Sequence, residues 1–240
     1  MSRFLASAVL LACSTSALAT PINTTHAGVI ATFQSGATVL NFDSVAGRTP
    51  QAITAYTAGD PVSTTALIYD QFAGVRFSVG GTPGTDKPAL YKLGGGIAGD
   101  AASGDTVLGP VDFDGTTKFN ANALLEIFFR TKVSKAGFWL NPALGGALLI
   151  ATDTNFAFSG LTETILETVT VGAGGFVGFT RASADIGGFK VLATGNNGFT
   201  VDDFTFAAAG TPPTPTVPEP ASLALVAAAL VPMSRCRRTR

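Results

Sequence analysis

Cysteine is almost missing from this chain of 240 residues, and its two copies, Cys13 and Cys236, sit close to the two ends. The stretch between them holds none, so it contains no disulfide, no cysteine nucleophile, no thiolate zinc site and no iron–sulfur cluster. Histidine is nearly missing too. The single His26 leaves no His/Cys cluster for zinc, and a Ser-His-Asp arrangement would have to be built on a residue near the start of the chain. Charge is sparse, at 13% of residues. No Gly-rich loop ends in Lys-Ser or Lys-Thr, and Gly94-Gly95-Gly96 precedes no helical pattern, so it reads as a loop and not as a phosphate cradle. No long apolar pattern of helical period with caps is found, and no internal repeat of fixed length, which argues against a solenoid or a propeller.

The ends carry the clearest information. Arg3 is followed by the uncharged run Phe4 to Ala12 and then by Ala17-Leu18-Ala19, a small-x-small pattern. That order reads as a secretory signal peptide over residues 1–19, cleaved after Ala19. The run is too short for a permanent span, which takes about 20 residues. Leu10-Leu11-Ala12-Cys13 offers a competing reading as a lipoprotein box, with Cys13 acylated. At the other end, residues 211–217 are a Pro/Thr segment, expected to be an extended spacer. After Glu219-Pro220 comes the apolar run Ala221 to Met233, then a basic tail with Arg235, Arg237, Arg238 and Arg240. Arginines directly after an apolar run hold that end in the cytoplasm. The domain would then lie outside, in agreement with the signal peptide.

Val217-Pro218-Glu219-Pro220, the short apolar run and the Arg-rich end together resemble the PEP-CTERM sorting signal of Gram-negative bacteria, similar in logic to the LPXTG tail of Gram-positive bacteria. The resemblance covers residues 218–240 and the residue before them. It implies a single short C-terminal transmembrane helix and recognition by a membrane-embedded exosortase through Pro218, Glu219 and Pro220. Cleavage near the motif would then move the body to the cell surface. Pro232 and Cys236 depart from the pattern without breaking it.

Between the ends lies residues 20–210, the length of one domain. Five basic residues (Arg3 and the four tail arginines) and one acid, Glu219, belong to the ends, which leaves ten basic and 15 acidic residues in the body, a net charge of −5. An acidic body argues against nucleic acid, whose phosphates require clustered Lys and Arg. It suits neutral sugars and divalent cations.

Short apolar or alternating runs recur in the body, bounded by Gly, Pro, Asn and Asp. They predict strands at 38–42, 66–69, 74–79, 106–113, 124–131, 136–140, 147–152, 157–161, 166–171, 175–180, 188–193 and 199–206. Turn sequences such as Gly80-Gly81-Thr82-Pro83-Gly84 and Gly195-Asn196-Asn197-Gly198 separate them. Such a pattern predicts an all-β domain, a jelly-roll or lectin-like β-sandwich. Leu40-Asn41-Phe42-Asp43, Phe72 to Phe77, Gly175 to Phe179 and Val201 to Phe206 also resemble the extracellular parts of other PEP-CTERM proteins, which again implies a sandwich and no particular activity.

Three sets of residues are candidates for chemistry. Asp43 ends an early strand and Asp202-Asp203 open the last one; first and last strands of sandwiches are often neighbours. The three aspartates read either as oxygen ligands of a structural calcium or as turn caps facing solvent. Asp112 and Asp114, two apart, read as a glycosidase-like pair or as exposed strand-end acids. Trp139, the one tryptophan, is flanked by apolar residues and predicted to be buried, and Tyr56, Tyr69 and Tyr91 are the only tyrosines, so no carbohydrate platform is evident. The reading that follows is a non-enzymatic exported protein of the cell surface or extracellular matrix, with the exosortase and the membrane as partners. The alternative is a module that binds exopolysaccharide. A secreted hydrolase would need converging carboxylates. An ice-binding surface would need a flat array of threonines, whereas the Thr-x-Thr pairs at 152–154, 162–164 and 168–170 form no regular series.

Overall fold

The computed structural model describes residues 20–56, 62–80, 87–112, 118–119, 124–141, 146–154, 163–194 and 199–208. The predicted signal peptide, the spacer, the sorting motif and the tail helix lie outside these residues, as does the strand expected at 157–161. Among the described residues no helix is long and apolar enough to cross a membrane.

The chain opens with strand β1 (Thr20–Thr24), helix α1 (Ala27–Gln34), β2 (Thr38–Leu40), β3 (Gln51–Ile53), β4 (Val75–Val79) and β5 (Ala89–Leu93). A single 3-10 turn at Gly95–Ile97 leads to β6 (Thr106–Gly109), and β7 (Val111–Asp112) pairs with β8 (Lys118–Phe119) in a small ribbon. The long strand β9 (Leu125–Asn141) is followed by β10 (Ala147–Thr152), β11 (Ile165–Val171), β12 (Gly175–Thr180), β13 (Ile186–Ala193) and β14 (Thr200–Ala208).

Twelve strands form one hydrogen-bonded sheet, and β9 gives it two arms. Residues 125–129 of β9 pair with β13 on one side and β4 on the other, which builds the arm β11-β10-β13-β9-β4. Beyond Val133 the same strand pairs with β12 and β14, which builds β1-β12-β9-β14. The far edge of β14 takes β2 and β6, and β6 continues to β5 and β3. The arms pack face to face through phenylalanines. Phe129 and Phe189 of the first meet Phe138, Phe179 and Phe204 of the second, with ring centroids 5.8–5.9 Å apart. Edge-to-face and offset rings like these add about 0.5–1.5 kcal/mol per pair to the burial of their surface. The domain is an all-β sandwich, as expected. A smaller apolar cluster around Ile53, Ala66, Tyr91, Leu93 and Val107 lies under β3, β5 and β6.

Strands β1, β3 and β5 were not among those expected, the strand expected at 38–42 ends at Leu40, and three further runs need correction. Residues 124–131 and 136–140 form one strand, because Arg130-Thr131-Lys132 is the passage of β9 from one arm to the other and not a turn. The run 106–113 breaks at Pro110, which has no N–H to donate to a ladder. Of the run 66–69 only a bridge between Leu67 and Ala89 forms.

Helix α1 was not expected. Its sequence, Ala27-Gly28-Val29-Ile30-Ala31-Thr32-Phe33-Gln34, is poor in strong helix formers, and the N-cap residue His26 makes no side-chain cap. It persists through packing. Phe33 is buried against Phe176 at 5.0 Å, over Gly178, which faces Gly137 across β9 and β12. A Cβ on Gly178 would lie 2.9 Å from the Phe33 ring, and one on Gly137 would lie 2.6 Å from the Val177 carbonyl. Gly178 leaves the hollow into which the Phe33 ring fits, and Gly137 lets β9 lie close to β12 beside the Phe176 ring.

Candidate functional site

The antiparallel pairing of β2 with β14 brings Asp43, Asp202 and Asp203 to one corner of the sandwich. What joins them is the segment 99–106. The Asp202 carboxylate accepts the Ser103 N–H at 2.9 Å on Oδ2 and the Asp203 N–H at 2.7 Å on Oδ1. Asp203 accepts the Ser103 hydroxyl at 2.6 Å. Asp43 Oδ1 accepts the N–H groups of Asp105 and Thr106, each at 3.2 Å. Between these anchors Gly104 takes φ +55° with its Cα directly against Asp43; a Cβ there would lie 2.0 Å from Oδ1.

The backbone at this corner is strained. Phe42 and Asp203 are the non-glycine residues with positive φ among the described ones, at 61° and 46°. Each such residue costs about 1–2 kcal/mol. At Asp203 the cause is a bulge: the register of β14 on β9 shifts between Asp202 and Thr205. The extra residue turns both carboxylates toward the 99–106 segment.

Asp202 is buried, and that burial, with the Asp203 charge beside it, pushes its pKa up to about 7 against the pull of the Ser103 and Asp203 N–H groups. Tyr56 lies at the same corner, near Thr200, Asp100 and Asn141, and burial pushes its phenol up to about 12.

The corner is therefore a set of anchors for a loop. Both oxygens of Asp202 and one oxygen each of Asp43 and Asp203 accept from N–H and O–H donors, and among the described residues no three His, Cys, Asp or Glu side chains are grouped to hold a metal ion. As arranged, the donor set does not fit a calcium site, and no coordination is built on it. Calcium at Asp43, Asp202 and Asp203 stays an expectation drawn from residue type.

A second polar cluster was not foreseen from the sequence. On the outward face of the first arm, Lys190 contacts Glu163 and lies 3.9 Å from Glu126, which is 4% exposed. Nearby, Asp70 bridges Arg130 at 2.6 Å and Arg76 at 3.2 Å, and the Arg76 guanidinium sits 5.4 Å from the Tyr69 ring. Burial raises Asp70, but hydrogen bonds from the two arginines outweigh it and hold its pKa below the ordinary value. Only register could have revealed this face. Glu126, Lys190 and Ser78 are cross-strand partners, far apart in sequence.

The remaining candidates separate. Asp112 pairs with Lys118 in the small ribbon, and Asp114 lies outside the described residues. Trp139 is half-buried, not buried as predicted. Phe138 and Leu140 point into the core, so alternation along β9 sends Trp139 to the outer face. Tyr91 is fully buried with its hydroxyl donated to the Pro110 carbonyl at 3.1 Å, and Tyr69 is half-buried. His26 is exposed at the start of α1.

No family model and no curated protein matches the chain. Among solved structures, it is similar to TmCBM61 in complex with β-1,4-galactotriose, at 16% identity and a TM-score of 0.34, over 57% of this chain and 90% of that one. A likeness of that size carries neither fold nor ligand to this chain.

Proposed function

We propose that the protein is a non-enzymatic exported protein of the cell surface or extracellular matrix, sorted by an exosortase through Pro218, Glu219 and Pro220. The observation that carries this reading is the order of parts at the C-terminus: motif, short apolar run, arginines. The N-terminal order of charge, apolar run and small-x-small residues supports the same topology. A domain with no cysteine between Cys13 and Cys236, and a phenylalanine core in place of cross-links, is compatible with life outside the cell. The jelly-roll or lectin-like form of the sandwich belongs to this proposal.

The test is mass analysis of the mature protein from its host, with and without the exosortase. The expected product starts at Thr20 and lacks the arginine tail only when the enzyme is present. A terminus retained beyond Arg235 in the normal host refutes the sorting.

Exopolysaccharide binding is the second reading. The observation that favours it is the outward-facing, half-buried Trp139, since sugars stack on aromatic faces turned out of the core. Glycan-array binding that disappears in Trp139→Ala would support it; no binding to any glycan would remove it, and binding unchanged by that substitution would remove Trp139 as the contact.

A further inference from the structure

A cleft of about 400 Å³ runs beside α1 on the outer face of the second arm. Its walls are mainly hydrocarbon: Ile22 from β1, and Val29 and Phe33 from the helix. Val29 is 42% exposed there, an apolar side chain with nothing over it among the described residues. His26 stands at the N-terminal end of the helix, and Lys135 of β9 reaches the Ser35 carbonyl at the other; the eight-residue helix between is about 12 Å long.

Lys135 distinguishes this cleft from a simple packing defect. Its ammonium donates to the Ser35 carbonyl at 3.1 Å and lies 5.4 Å from the centre of the Phe33 ring, so it is held over the cleft wall. An ammonium has three donors, and Ser35 takes one. Among the described residues no carboxylate pairs with it, although the body carries five more acids than bases. A partly desolvated cation without a counter-ion is costly. Burial also draws its pKa down, in the direction expected of an ammonium short of anionic neighbours.

We propose that this cleft binds a small monocarboxylate with an apolar body, its carboxylate on Lys135 and its hydrocarbon along Ile22, Val29 and Phe33. One ammonium matches one negative charge better than a phosphate dianion. The walls argue against a sugar acid, whose ring hydroxyls need several polar partners; of those at hand, the Thr32 hydroxyl is already given to the Gly28 carbonyl at 2.8 Å. The volume falls within the range of small-ligand pockets. The inference uses only the folded domain, so it stands or falls apart from the sorting proposal.

The experiment is calorimetric titration of the mature protein with octanoate, octanol and glucuronate, repeated on Lys135→Met and Val29→Glu. Octanoate is expected to bind saturably at one site. Octanol should bind more weakly by at least about tenfold, and each substitution should weaken octanoate by a similar factor. Val29 is 42% exposed and Lys135 half-buried, so neither belongs to the core, and an unchanged circular dichroism spectrum checks that the variants fold. Saturable glucuronate binding without octanoate binding, equal binding of octanol and octanoate, full affinity in Lys135→Met, or no heat with octanoate would each overturn the proposal.

Discussion

Asp202 shows how a single residue sets a measurable property. It is 1% exposed, and its pKa is raised to about 7 by burial and by the neighbouring Asp203. In the unfolded chain it titrates near 3.8. Between those values the folded state holds a proton that the unfolded state has lost, so stability is fully present below about pH 4 and is lost as pH rises through 7. The loss is at most about 4 kcal/mol for a shift of this size. Asp70 and Asp153 act in a separate window. Their pKa values are lowered in the fold, so their contribution is present above 3.8 and disappears only as pH falls below it. Urea melts from pH 4.5 to 8 should therefore show falling stability, and Asp202→Asn should flatten the slope. An equal slope in the variant would remove Asp202 as its cause. Gly104 allows a sharper comparison. Gly36→Ala meets only the cost of a left-handed residue, about 1 kcal/mol, because nothing lies within 4 Å of the new Cβ. Gly104→Ala drives Asp43 off the Asp105 and Thr106 N–H groups as well, and should cost about 3 kcal/mol by denaturant unfolding. The same corner decides the calcium question. With each aspartate tied to N–H or O–H donors of the 99–106 segment, the melting temperature should be the same in calcium and in EDTA, and a rise of several degrees with calcium would restore the cation reading.

At the scale of elements, legibility followed the burial pattern. Strands β10 and β12 were predicted with their observed bounds, because Gly and Pro turns flank short apolar runs that fit a pleat. Strand β5 was missed: it is buried at four of five positions, so Ala-Leu-Tyr-Lys-Leu shows no two-residue alternation. β1 was missed because it sits at the sheet edge and contains Pro21, which an edge strand tolerates. The meeting of Asp43 with Asp202 and Asp203 was legible as a first-and-last-strand juxtaposition, whereas the 99–106 segment that ties them was not, since the bulge at Asp203 leaves no mark in residue type. Helix α1 was illegible for a related reason: its stability resides in one ring seated over a distant glycine, Gly178, and against Phe176. Phe33→Ala should therefore cost about 3 kcal/mol and remove amide-exchange protection from residues 27–34 while β9 keeps its own. Equal loss of protection in β9 would mean that the helix and the sheet open as one unit.

For the whole molecule, the absence of cysteine and the two ends make one argument. The sandwich is held by rings packed between two arms of a single sheet, and no cross-link contributes. Both thiols belong to segments that the proposed route removes: Cys13 with the signal peptide, Cys236 with the tail. Thiol labelling then reads the state of both ends at once. The unprocessed chain should take two labels under denaturing conditions, a chain that keeps its tail one, and the mature protein none. Acylation at Cys13 would also hide a thiol, but it would add the mass of lipid and start the chain at residue 13 instead of Thr20, so labelling followed by intact mass separates the two routes. The melting temperature of the mature protein should not change with reductant. A mature protein that still labels at Cys236 would mean that the arginine tail stays attached, and the exosortase proposal would fail while the fold and the cleft at Lys135 stood untouched.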